Sequence, residues 1–113
     1  MLILLNLNLK KKIIGVTCHN SIELAKLAIK HNADYVAFGA FFFSKTKKAK
    51  FKTIISLLKK AKRIINTPIV AIGGINSKNY KKLLLNNADF LAISGYIWKN
   101  KKLKPIEAIN KFI

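Results

Sequence analysis

Four short stretches of this 113-residue chain carry residue types that could do chemistry: "TCHN" at 17–20, "FFFSKTKK" at 41–48, "GGIN" at 73–76 and "SGYI" at 94–97. Gly73 and Gly74 stand where an apolar run ends and a helical pattern begins. The first N–H groups of a helix lack partners and carry a dipole equivalent to roughly half a positive charge, so that junction suits an anion. Ser94 and Gly95 occupy the same place one βα unit later. Two adjacent small-residue loops can clamp one phosphate between them, as in the recurrent phosphate site after the last two strands of a barrel. Two ordinary tight turns would use the same residues. Ser44 and Thr46 offer hydroxyls at alternate positions, flanking Lys45, and Lys47 adds a point charge that suits a diphosphate. A solvated loop of a lysine-rich chain has the same composition.

Other candidates are weaker. His19 follows the first of these strands without an obvious carboxylate partner, so it reads as a loop residue ahead of an acid or base. Cys18 needs an activating neighbour to be a nucleophile. The acids are Glu23, Asp34, Asp89 and Glu107. Asp34 and Asp89 open strands, at the end away from the loops above, and no pair of carboxylates is placed for a metal.

The elements that position these residues follow from hydropathy. "IIGVT" at 13–17, "ADYVAFGA" at 33–40, "IVAI" after Pro68 and "ADFLAIS" at 88–94 read as strands. They are continuous apolar runs rather than alternating ones, which implies a parallel sheet covered on both faces. Between them lie helical patterns: 21–31, capped by Asn20 with Glu23 in a capping-box position; about 51–65, with Phe51, Ile54, Ile55, Leu58 and Ile65 inward; and from Asn76 to about 86. Pro105 starts a last helix with Ile106, Ile109 and Phe112 inward. The first 12 residues read as a leader or the end of a preceding helix. "NADYVAFGA" at 32–40 and "NADFLAISG" at 87–95 form an internal repeat 55 residues apart.

Composition narrows the classes. Half of the residues are apolar and the formal charge is +18, with 22 basic residues against four acids. All the basic residues except Arg63 are lysine, and asparagine and isoleucine are equally enriched, which points to codon bias rather than a nucleic-acid surface. No run reaches the roughly 20 apolar residues of a membrane helix. The opening order, apolar then basic, is the reverse of a signal peptide, and one cysteine cannot staple the chain to itself. A cytoplasmic location is expected.

At these residues the chain resembles a known family. "IIGVTCHNS", "ADYVAFGAFFFSKTK", "PIVAIGGIN" and "ADFLAISGYIW", in that order and spacing, resemble the C-terminal half of thiamine phosphate synthase. The resemblance implies an α/β fold: the C-terminal half of a (β/α)8 TIM barrel, four parallel βα units over 13–113. It also implies a transferase that joins hydroxymethylpyrimidine diphosphate to thiazole phosphate and releases pyrophosphate. Gly74, Ser94 and Gly95 would bind the thiazole phosphate, and Ser44, Lys45 and Thr46 would contact the same substrate. Lys47 would stabilise the departing diphosphate. Thr17 stands where the family usually has serine, near the pyrimidine and diphosphate.

The family's Mg2+ ligands and pyrimidine-diphosphate motif belong to its N-terminal half and are absent here. The expected partners are therefore the two phosphorylated substrates and either a complementary N-terminal half-barrel or a second copy of this chain. Two alternatives stand beside the synthase: a thiazole tautomerase-like enzyme, which would use a histidine near position 19, and a non-catalytic phosphate-binding half-barrel remnant.

Overall fold

The computed structural model describes residues 2–7, 11–42 and 53–113. Five strands and five helices are assigned there: β1 (Leu2–Leu7), β2 (Lys11–Thr17), α1 (Ile22–Lys30), β3 (Tyr35–Phe38), α2 (Ser56–Ile64), β4 (Ile69–Ile72), α3 (Tyr80–Leu85), β5 (Phe90–Ala92), α4 (Gly95–Trp98) and α5 (Pro105–Asn110). The sheet runs β1-β2-β3-β4-β5. Strands β2 to β5 pair in parallel, and each is followed by helix, so the four expected βα units are present.

Strand alternation divides the sheet into two unlike faces. Val36 and Phe38 of β3, with Ile69 and Ala71 of β4, are wholly buried against Ala25, Leu58, Ala61 and Leu83 of the helices. The opposite face is buried at Gly15 and Ala37 but opens toward β5. There Ile13, Tyr35, Val70 and Phe90 line an apolar hollow of about 400 Å³, and Phe90 is 61% exposed. Gly15 lies beneath the Tyr35 ring on this face; a Cβ at that position would overlap the ring.

The sequence repeat is a repeat of structure. Asp34 accepts the Ile14 N–H at 2.8 Å and returns its own N–H to the Ile14 carbonyl at 2.7 Å. Asp89 does the same with Ile69, at 2.9 Å both ways. Each aspartate thereby staples the start of its strand to the strand before it, Asp34 to the middle of β2 and Asp89 to the start of β4. Ahead of each, an asparagine turns the chain through positive φ: Asn32 at 70° and Asn87 at 73°. Asparagine tolerates that region better than most residues.

Several expectations need correction. The opening segment is not a helix end at Leu2–Leu7: it is strand β1, antiparallel to β2 from Leu2↔Val16 to Leu7↔Lys11. A six-residue, mostly apolar run does not distinguish strand from helix by periodicity, and the outer edge of β2 offers it unpaired backbone groups. Helix α1 is capped by Ser21, whose Oγ accepts the Leu24 N–H at 3.1 Å, and not by Asn20. A turn closed by the Ser21 N–H on the Cys18 carbonyl takes up Asn20 and shifts the start by one.

Helix α2 begins at Ser56, so Ile54 precedes it and is 76% exposed, while Phe51 lies outside the described residues. Ile106 and Ile109 are exposed rather than inward; α5 buries Ala108 and sends Phe112 against Tyr80 and Tyr96. In a closed barrel a neighbouring helix covers such a flank, and beyond β5 the described residues provide none.

Candidate functional site

Thr17, Gly73–Gly74 and Ser94–Gly95 all stand at the carboxyl ends of parallel strands, at one end of the sheet. That is the end at which α/β folds place their sites. Thr17 closes β2, half-buried, in register with Ala37 of β3. Ser44, Lys45, Thr46 and Lys47 lie outside the described residues.

The glycine pair has a structural cause. Gly73 has φ 98° and Gly74 φ 64°, a region that disfavours any residue with a Cβ. The segment after β3 also presses on both. A Cβ on Gly73 would overlap that of Ala40, and one on Gly74 would come within 2.6 Å of the Phe42 carbonyl oxygen. The contact is fastened by the Phe41 N–H on the Ile72 carbonyl and the Phe42 N–H on the Gly73 carbonyl. Turn geometry and packing together require these glycines whether or not an anion binds.

Gly95 differs. No heavy atom lies within 4 Å of a Cβ placed there, and its φ is not in the left-handed range. The fold does not need glycine at 95, and its absent side chain leaves open space over the loop. Ser94 beside it is exposed. Gly95 is the first residue of α4, a one-turn helix that the hydropathy pattern does not reveal.

Side-chain hydrogen bonds hold the two glycine loops together. Asn76 Oδ1 accepts the N–H groups of Lys78 and Asn79, forming a turn that leads into α3. Asn76 thus caps this turn and not, as expected, the helix, which starts only at Tyr80 with Asn79 at its N-cap position. Asn79 donates through Nδ2 to the Gly74 carbonyl at 3.1 Å and accepts the Asn76 N–H at 2.9 Å. From the other loop, the Tyr96 hydroxyl donates to Ser77 Oγ at 3.0 Å.

Cys18 and the backbone of His19 serve the fold. Cys18 is fully buried, and burial raises its thiol pKa, which keeps it protonated and unreactive. His19 has φ 54°, and its carbonyl accepts the Gly39 N–H at 3.0 Å and the hydroxyl of buried Thr53 at 3.4 Å.

The carboxylates do not fit a Mg2+ site. Glu23 lies 3.6 Å from Lys26 on α1, and Glu107 accepts the Lys104 N–H at the start of α5. Asp34 and Asp89 are the staples at the amino ends of strands. Among the described residues, no three His, Cys, Asp or Glu side chains gather as metal ligands. No chemical step is assigned to a metal held by this chain.

Comparison with known proteins agrees with this geometry. Residues 6–97 match the family model for thiamine monophosphate synthase. A thiamine-phosphate synthase from Pelagibacter ubique is 67% identical over 103 residues, covering 91% of this chain and 50% of that protein. One from Nitrosomonas eutropha is 49% identical over 95 residues, covering 84% and 45%. The fold superposes on thiamine phosphate pyrophosphorylase from Pyrococcus furiosus with a TM-score of 0.72 and 26% identity, covering 87% of this chain and 45% of that one. The architecture is that of half a (β/α)8 barrel, and the chain spans about half the length of the relatives it matches. On these matches, the chain belongs to the thiamine monophosphate synthase family.

Proposed function

We propose that residues 13–113 form the thiazole-phosphate side of a thiamine phosphate synthase-like transferase, complete only with a complementary half-barrel. In the reaction, the bond between the pyrimidine methylene carbon and its diphosphate oxygen breaks, and the diphosphate leaves with the electron pair. A carbon–nitrogen bond then forms to the thiazole nitrogen. No proton needs to be removed from an unactivated carbon, so the reaction does not depend on a strong general base. Catalysis of this kind rests on positioning and leaving-group stabilisation.

In this reading Gly74, Ser94 and Gly95 hold the thiazole phosphate, and Ser44, Lys45 and Thr46 contact the same substrate. Lys47 stabilises the leaving diphosphate, and Thr17 lies near the pyrimidine and diphosphate. The observation that carries the reading is the open, unrequired Gly95 beside Ser94, tied through Tyr96 and Ser77 to the Gly74 loop within the family match. The exposed apolar face, with Phe90 on its edge strand, supports a complementary half-barrel as the partner. Among the described residues no helix is long and apolar enough to cross a membrane; membership of a biosynthetic enzyme family supports a cytoplasmic place of action.

A second reading, a non-catalytic phosphate-binding half-barrel, is favoured by one observation: all four carboxylates are already engaged in the fold. Pyrophosphate release and thiamine phosphate formation separate the two. The assay uses the purified chain with Mg2+ and both substrates, alone and with the N-terminal half of the Pelagibacter ubique relative. Turnover only with the added half is the expected result. Silence in both mixtures, with the chain folded, leaves the non-catalytic reading.

A further inference from the structure

The β4–β5 ladder aligns the two glycine loops only as far as Ile72↔Ala92. Past that point, among the described residues, no main-chain hydrogen bond joins 73–79 to 93–98. The loops are nevertheless connected by an unbroken series of contacts. The Gly74 carbonyl is held by Asn79, Asn79 is locked to Asn76 in both directions, and their turn carries Ser77. Ser77 Oγ accepts the hydroxyl of Tyr96, the residue next to Gly95.

Tyr96 is also fixed at its ring. Phe112, just past α5, meets it edge-on at 5.4 Å and 84°, and meets Tyr80 at the start of α3 at 4.9 Å and 72°. Ring and hydroxyl together hold Tyr96, and Gly95 with it, at one distance from the Gly74 turn.

We propose that Tyr96 is a positioning residue: its hydroxyl on Ser77 sets the spacing between the Gly74 and Ser94–Gly95 loops and thereby tunes their affinity for a phosphomonoester. This rests on the phosphate reading given above. A ligand gripped from two loops is sensitive to displacements of about half an ångström, so the tie acts on binding without touching the ligand. The arrangement also accounts for a tyrosine at the first turn of α4, where the ring alone would be satisfied by phenylalanine.

The test is an NMR titration of the full ¹⁵N-labelled chain with inorganic phosphate at constant ionic strength, following the amides of Gly74 and Gly95. A part-buried hydrogen bond corresponds to roughly a three- to ten-fold change in an equilibrium, and that is the rise in Kd expected for Tyr96→Phe. Ser77→Ala should weaken binding equally, and the double variant should be no worse than either. Ser77→Thr, which keeps a hydroxyl, should bind as the parent does, a rescue that a general loss of structure would not give. Tyr96→Phe keeps the ring on Phe112, so its thermal melt should stay close to the parent's. Saturable binding that Tyr96→Phe leaves unchanged, or losses that add in the double variant, overturns the positioning role and leaves the phosphate reading standing. Parent amides that do not respond at all overturn both.

Discussion

The chain contains the same scaffold twice, and the two copies end differently. In the first, β2-α1-β3 is stapled by Asp34 after the turn at Asn32; in the second, β4-α3-β5 is stapled by Asp89 after the turn at Asn87. Even the first loop of each copy has an equivalent backbone: His19 at φ 54° corresponds, 55 residues on, to Gly74 at φ 64°. The divergence comes after the second strand. In the first copy Gly39 is buried, and a Cβ there would overlap the Ile72 carbonyl. In the second copy, the corresponding Ser94 is exposed and Gly95 looks onto empty space. One scaffold therefore closes its strand end with protein and the other leaves it open, and the open one is where a ligand fits.

The largest effects that could break this contrast come from the glycines. Gly73→Ala or Gly74→Ala should cost about 3 kcal/mol or more, because positive-φ strain adds to overlap with residues 40–42. Gly95→Ala should stay within about 0.5 kcal/mol of the parent or stabilise it slightly, since alanine favours a helix and nothing is in its way. Urea denaturation measures all three. Phosphate binding should reverse the order of interest, with Gly95→Ala folding normally and binding poorly. A Gly95→Ala chain that unfolds readily would show that Gly95 is structural after all.

The same glycines show how far residue patterns carried. Periodicity located the parallel βα units because each strand is short, apolar and bounded by turn residues. The local pattern "GGIN" raised turn geometry and ligand approach as alternatives, and only the position of Ala40 and Phe42, more than 30 residues earlier, explains the pair. Tyr96 falls within the stretch at 94–97, but nothing in the sequence pairs it with Ser77, 19 residues earlier, until the fold brings the two hydroxyls to 3.0 Å. Leu2–Leu7 failed for the opposite reason: its partner edge, not its own pattern, makes it a strand.

The aspartate staples sharpen the comparison at intermediate size. Asp89 has what Asp34 lacks among the described groups, an ion pair with Lys62 at 2.7 Å. Asp89→Ala should therefore cost about 2 kcal/mol and Asp34→Ala about 1 kcal/mol, each leaving a strand N–H, of Ile69 or Ile14, without its side-chain acceptor. Partial burial pushes the Asp89 carboxyl up, but the Lys62 hydrogen bond, the Ile69 N–H and the Lys62 charge together outweigh it and hold the group below its ordinary value. A depressed folded pKa means that the unfolded chain takes up the proton first. The stabilisation is then present above the ordinary aspartate value of about 3.9 and fades as pH falls through the folded value. Denaturation at pH 6 and below pH 4 should show the gap between parent and Asp89→Asn narrowing in acid. A gap of constant size would remove Lys62 from the account.

The smallest effect tests whether the two copies are energetically the same where they look the same. Asn32 and Asn87 have φ values within a few degrees, 70° and 73°, and each is followed by an alanine whose N–H reaches back to the helix: Ala33 to Ala28 at 3.0 Å, and Ala88 to Leu83 at 3.1 Å. Alanine in the left-handed region costs roughly 1 kcal/mol relative to a residue that tolerates it. Asn32→Ala and Asn87→Ala should therefore each lose about 1 kcal/mol and match one another, although α1 and α3 differ in length and surroundings. If the two losses differ severalfold, backbone conformation alone does not set them, and the repeat is one of shape without a repeat of energetics. If they match, the helix-to-strand turns are interchangeable parts, and the difference between the two copies lies in the strand-end loops, where the open site is.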